Sequence, residues 1–326
     1  MSNILLEGLT VRPATIEDLE TVFELSYAYD MVQYGEEDLT LEDLRTFWSL
    51  PDVNLAEDER LVFDPSGQLV AALHMDQRFF TKFFAHLLIR PGYDDQRLGL
   101  ALLEVAETWA RERMAKADPE ARITLNAWIP STDREGFALY QQAGFADVRR
   151  HWRMRIDLTE EPAAPVWPEG LALRPFVPER DARAVFEMVD VAFRDHWGSL
   201  PHDFEQWKHL TIERADFDPS LWFIACEGEQ VAGGALCATG AIGWVDTLGI
   251  LRPWRRRGLG LALLQHTFRE FYRRGQRTIG LGVDSQNLTG AVRLYKRAGM
   301  YIARESISLE KELRAGVEIS TQTLEV

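Results

Sequence analysis

Val245-Asp246-Thr247-Leu248-Gly249-Ile250-Leu251-Arg252-Pro253-Trp254-Arg255-Arg256-Arg257-Gly258-Leu259-Gly260 is the stretch that decides the fold. An apolar, strand-forming run turns into an arginine- and glycine-rich junction. Leu261, Leu263, Leu264 and Phe268 then follow with helical spacing. Glycines let backbone N–H groups approach a ligand closely, and a helix N-terminus adds partial positive charge. The arginines add full charges. Such a junction suits a pyrophosphate. It is not a Walker loop, because no Gly-Lys-Ser/Thr closes it. Nor is it a dinucleotide fingerprint, because the third glycine is missing.

Working outward, the junction belongs to a repeat. Arg12-Pro13 recurs as Arg174-Pro175, and Arg90-Pro91 as Arg252-Pro253. Leu100-Ala101-Leu102-Leu103 recurs as Leu261-Ala262-Leu263-Leu264. Leu139-Tyr140 with Ala143-Gly144-Phe145 recurs as Leu294-Tyr295 with Ala298-Gly299-Met300. The period is roughly 160 residues, which implies duplicated domains rather than a solenoid. Pro162, Pro165 and Pro168 mark residues 161–169 as a stiff linker. The expected domains are therefore 1–160 and 170–326.

Each copy reads as strand, helix, short helix, three strands, long helix, strand, short helix and strand. In the first copy the three strands fall near 60–63, 69–77 and 83–89, and in the second near 221–227, 230–238 and 243–251. The long helices fall near 97–116 and 259–274. Thr15 and Asp18 read as a capping start, and Gly144 and Gly299 as left-handed helix ends. The fold class is α/β: two tandem domains, each a mixed, mostly antiparallel sheet flanked by helices.

Arg255-x-x-Gly258-x-Gly260 between strand and helix resembles the acyl-CoA pyrophosphate loop of the GNAT superfamily of N-acetyltransferases. Val283-Asp284-Ser285-Gln286-Asn287, Ala291 and Leu294-Tyr295 are similar to that family's closing strand and helix. The tandem arrangement, with the second copy better kept, resembles the mycothiol synthases in architecture, which does not identify a substrate. The resemblance implies acetyl-CoA as co-substrate and acyl transfer to an amine. It implies that Leu248, Gly249 and Ile250 meet the pantetheine arm, with the Ile250 N–H on the thioester carbonyl. It assigns Arg255, Arg256, Arg257, Gly258, Leu259 and Gly260 to the pyrophosphate, Asn287 to the pantetheine, and Tyr295 to the general acid.

The base is open between Asp246, which strand alternation would set on one face with Leu248 and Ile250, and His196 at the end of a helix. Both are also acceptor-site candidates. Plainer readings stand beside each: an edge aspartate, a loop histidine, a buried helix tyrosine, a helix-capping Asn287. The first copy departs from the motif. Aligned on Gly99, Asp94 takes the place of Arg255 and Arg97 that of Gly258. Both changes oppose a pyrophosphate, so the first copy is expected to shape or stabilise the second.

Composition narrows the rest. The chain has 326 residues, 46% hydrophobic and 27% charged, with a net charge of -15. Residues 1–165 hold 30 acidic and 16 basic side chains, and the remainder 21 and 20. From Arg252 to Arg297, 11 basic residues face only Glu270 and Asp284. That local patch points to an anionic ligand, whereas the overall charge argues against nucleic acid. The acidic first half favours a cationic acceptor. Met1-Ser2-Asn3-Ile4-Leu5-Leu6-Glu7 lacks the basic cap of a signal peptide, and no apolar run reaches a membrane span. Cys226 and Cys237 make no metal motif, and the histidines show no ligand-like pairing. The reading is a cytoplasmic N-acetyltransferase acting on a small-molecule amine, without metal, membrane or nucleic acid. A non-catalytic CoA-binding regulator and a peptide or protein acetyltransferase remain the alternatives.

Overall fold

The recurring Arg-Pro pair has a structural cause. In a computed structural model, which describes residues 8–50, 53–93, 95–199, 203–287 and 289–321, each arginine pairs with an aspartate at the start of the next helix. Arg12 lies 2.6 Å from Asp18, and Arg174 lies 2.7 Å from Asp181. Both carboxylates also accept a backbone N–H, from Thr15 and Val177 at 2.8 Å. Each pair stitches a first strand to a first helix.

The first half runs β1 (Thr10–Arg12), α1 (Leu19–Tyr34), α2 (Leu41–Trp48), α3 (Leu55–Asp58), β2 (Glu59–Phe63), β3 (Leu69–Arg78) and β4 (Lys82–Ile89). It continues with α4 (Gln96–Arg113), β5 (Ile123–Pro130), α5 (Arg134–Gln142) and β6 (Ala146–Asp157). The second half runs β7 (Leu171–Pro175), α6 (Pro178–Phe193), α7 (Phe204–Thr211), β8 (Trp222–Glu227), β9 (Gln230–Thr239) and β10 (Gly243–Ile250). α8 (Leu259–Arg273), β11 (Thr278–Asp284), α9 (Ala291–Arg297) and β12 (Tyr301–Arg314) complete it. Gly144 and Gly299 end α5 and α9 at φ 90° and 95°, as a left-handed cap requires.

The linear division at 160 differs from the compact units. One unit is Met1–Arg150 with Arg304–Glu318, and the other is His151–Ala303 with Ile319–Val326. In unit 1 the strand order is β1-β2-β3-β4-β5-β12, and in unit 2 it is β6-β11-β10-β9-β8-β7. The last strand of each half has been exchanged. β12 pairs antiparallel with β5 from Ser306↔Pro130 onward, and β6 with β11 from Thr278↔Asp157 to Asp284↔His151. The reason is that a strand pairs through its backbone, so either half's last strand satisfies either sheet. Core side chains complete the fit: Ile307 and Leu309 lie in the unit 1 core, and Met154 in that of unit 2.

Each sheet carries one parallel pair, β4–β5 and β10–β11, among antiparallel neighbours. On one face of unit 2, Leu263 and Phe268 of α8 pack against Val245 and Leu281 of the sheet. On the other, Val185 and Met188 of α6 pack against Trp222 and Leu236. The 161–169 segment is held to unit 2: Arg269 pairs with Glu161 and donates to the Pro162 carbonyl at 3.2 Å. Among the described residues no helix is long and apolar enough to cross a membrane, and both cysteines are free and buried.

Candidate functional site

β10 and β11 pair only through Gly243↔Ile279, Trp244↔Gly280 and Val245↔Leu281. Beyond Val245 the two strands part. Leu248, Gly249 and Ile250 keep β9 on one side, opposite Ala235, Gly234 and Gly233. Their other edge has no ladder partner among the described residues, and the Ile250 carbonyl accepts from the Arg255 side chain.

Asp246 sits at the point of parting. The β9–β10 register shifts between Val245 and Thr247, so Asp246 is the extra residue of a β-bulge, and it is exposed. Strict alternation with Leu248 and Ile250 therefore fails. A bulge re-aims side chains and sharpens local twist. The equivalent β3–β4 pairing in unit 1 runs unbroken from Ala71↔Ile89 to Arg78↔Lys82.

The junction after β10 ends at Gly258, with φ 91°, which caps α8 without any side-chain bond. A Cβ at Gly258 would meet nothing within 4 Å. The first N–H groups of α8 are thus left for a ligand. The side chain of Leu259 is buried. Gly260 serves packing: a Cβ there would lie 3.0 Å from Leu294 of α9.

The arginines divide. Arg255 folds back, its Nε 2.9 Å from the Ile250 carbonyl and its guanidinium 3.2 Å from that of Ala192. Burial lowers its pKa. It holds strand end and α6 together. Arg257 reaches Glu227 at 3.2 Å, and Arg252 reaches Asp195 at 2.6 Å. Arg256 is exposed, at φ 60°, with no hydrogen bond or ion pair among the described residues. A positive φ at a non-glycine residue is strained. Here it presents the one loop arginine that is not already engaged.

Unit 1 treats the same junction differently. Asp95 caps α4, and its carboxylate accepts from Arg97 N at 3.0 Å and Leu98 N at 3.4 Å. The amides that α8 leaves open are filled by a side chain of the protein itself. Asp94 lies outside the described residues.

Tyr295 of α9 is 7% exposed and has no hydrogen-bond partner among the described residues. Burial pushes its phenol up to about 12. Its counterpart Tyr140 donates to the Ala85 carbonyl at 3.0 Å. Asn287 is not the cap of α9, which is Gly290. Its side-chain oxygen accepts from Thr289 N and Oγ1 at 2.8 and 2.5 Å, in a turn before the helix.

The His196 ring lies 4.5 Å from that of Phe193, tilted by 60°, just after α6. Burial, then the nearby Arg255, lower its pKa, while Asp284 and Asp195 oppose them. The net effect favours the neutral imidazole. Two features were not anticipated. Gly280 packs under Trp244, whose ring would lie 2.4 Å from a Cβ, but Gly282 is exposed with nothing within 4 Å of one. Asp284, two residues on, acts on His196. Only an exposed glycine at a strand position could have signalled this open floor. Among the described residues no three His, Cys, Asp or Glu are grouped to hold a metal ion.

Comparison with known proteins shows the family to which this fold belongs. Residues 182–300 match the model described as Acetyltransferase (GNAT) family. A mycothiol acetyltransferase of Thermobispora bispora is 32% identical over 222 residues, 65% of this chain and 70% of that protein. A solved GCN5-related N-acetyltransferase from Sphaerobacter thermophilus is 34% identical, with TM-score 0.84, over 98% of this chain and 100% of that one. A tandem GNAT protein from the clavulanic acid biosynthesis pathway shares the fold, at 17% identity and TM-score 0.70, over 95% and 100%. The chain belongs to the GNAT family of acetyltransferases. It is an N-acetyltransferase of tandem build, in a family that uses acetyl-CoA.

Proposed function

We propose that unit 2 carries the transfer, moving acetyl from acetyl-CoA to the primary amine of a small molecule by direct attack. The observation that carries this reading is the uncapped N-terminus of α8 beside Arg256, set against the self-capped α4 of unit 1. Acetyl-CoA supplies the thioester. The Leu259 and Gly260 amides and Arg256 bind its pyrophosphate, and the free edge of Leu248, Gly249 and Ile250 aligns the pantetheine. Asn287 offers its amide N–H groups to the same arm.

The acceptor lies over Gly282, where the sheet has no side chain. The amine nitrogen bonds to the carbonyl carbon, with the oxygen on the Ile250 N–H. The C–S bond breaks, and the thiolate takes the Tyr295 proton. The ammonium proton leaves to Asp246 through water, with His196 as the other acceptor. A phenol at about 12 stays protonated throughout the working range, as an acid must.

Calorimetric titration with acetyl-CoA tests the assignment. About one equivalent is expected, lost in Arg256→Glu. Two equivalents, or full binding by that variant, would overturn the choice of unit 2. Gly282→Trp should raise the acceptor KM at least about tenfold with acetyl-CoA binding unchanged. An unchanged KM would move the acceptor elsewhere.

A further inference from the structure

Unit 1 carries a charged row across three strands where unit 2 is uncharged. Glu59 on β2 lies opposite His74 on β3, and His74 lies opposite His86 on β4. Glu59 Oε1 is 2.7 Å from His74 Nδ1. Asp76 Oδ2 is 3.6 Å from His74 Nε2 and 3.5 Å from His86 Nε2. In unit 2 the same register places Trp222 opposite Leu236, Leu236 opposite Thr247, and Ala238 opposite Trp244. The fold packs this position without charge. Burying charged groups is costly even when they are paired, so the row answers to something other than folding.

Its accessible end has the character of a cation site. Glu59 is buried and His74 is partly buried, whereas the side chains of Asp76 and His86 are 29% and 33% exposed. Burial opposes the charge on His74, yet Asp76 and Glu59 raise its pKa to about 9. Burial also opposes the charge on Asp76, yet His74 and His86 hold its carboxyl below the ordinary range. Around its open end stand three rings. Phe84 lies 6.2 Å from His86 and 5.7 Å from Trp128, and Trp128 is 51% exposed. The Arg78 guanidinium already sits 5.6 Å from the Phe84 centroid. Aromatic faces beside a partly desolvated carboxylate recognise ammonium groups.

We propose that this face of unit 1 binds a small protonated amine, with Asp76 as counter-ion and Phe84, His86 and Trp128 as walls. The site has no acyl-donor loop beside it and serves binding rather than transfer. It stands independently of the reaction assigned to unit 2.

The test follows the His86 ring by NMR in the full chain with labelled histidine, assigned through His86→Gln. Benzylamine is the probe and benzyl alcohol the uncharged control, at about pH 8, where the amine is protonated. Benzylamine should shift the His86 signals saturably and the alcohol should not. Asp76→Asn should abolish the shift, Trp128→Ala should weaken binding at least about fivefold, and Arg78→Ala should strengthen it. Signals unmoved by benzylamine, moved equally by the alcohol, or still moved in folded Asp76→Asn would overturn the proposal. Should Asp76→Asn fail to fold, unchanged affinity in Trp128→Ala would do the same. Loss of acetyl transfer leaves this readout untouched, so the two readings fail separately.

Discussion

Asp95 and Gly258 stand at the same turn of sister units and have opposite effects. Asp95 closes the N-terminus of α4 with its own carboxylate, whereas Gly258 leaves that of α8 open. Tyr140 and Tyr295 repeat the contrast: one phenol is spent on the Ala85 carbonyl, and the other has no partner among the described residues. The strands differ likewise, β4 being regular and β10 bulged at Asp246. In unit 1 the backbone and side chains satisfy one another. In unit 2, among the described residues, the same fold leaves a helix N-terminus with no side-chain cap and a phenol with no partner, and these are the groups the proposed reaction uses.

The sharpest way to break the comparison is to give unit 2 the cap of unit 1. Gly258→Asp should weaken acetyl-CoA binding about 100-fold or more, because a carboxylate would replace the phosphate at the helix end. Unchanged affinity by titration would show that the open cap is irrelevant. A smaller effect is expected at the tyrosines. Tyr295→Phe should lower kcat about 10- to 100-fold with acetyl-CoA affinity kept. Tyr140→Phe should leave kcat alone and cost about 1 kcal/mol of stability, the worth of one buried hydrogen bond. Equal kcat losses in the two variants would erase the distinction.

The smallest effect concerns pH. The pKa of His74 is raised from 6.5 to about 9 in the folded chain. Its stabilisation is complete below pH 6.5 and is lost as pH rises through about 9, worth about 1–3 kcal/mol. Denaturant midpoints for unit 1 should fall across that window. In Glu59→Gln/His74→Leu the fall should disappear, since unit 2 holds Leu236 at that place.

The sequence made the duplication, the helices and the strand-to-helix junction legible, because these rest on local patterns: apolar periodicity, Arg-Pro pairs, and glycines at helix ends. What stayed hidden depends on pairing at a distance. The bulge at Asp246 is a matter of register with β9 and leaves no mark on β10 alone. Arg255 reads as a phosphate ligand by spacing, but its guanidinium finds the Ile250 and Ala192 carbonyls only once α6 is in place. Glu59, His74, Asp76 and His86 are scattered along the chain and meet only through two antiparallel registers. Residues 161–169 read as a proline-rich linker, and nothing in the sequence signals the tether through Arg269.

The strand exchange bears on how the chain is made. Unit 1 needs β12 beside β5, and β12 leaves the ribosome roughly 170 residues after β5. Until then the β5 edge offers unpaired N–H and C=O groups to any passing strand. The nascent first half therefore cannot finish folding on its own, and synthesis of the second half sets the time at which the first becomes whole.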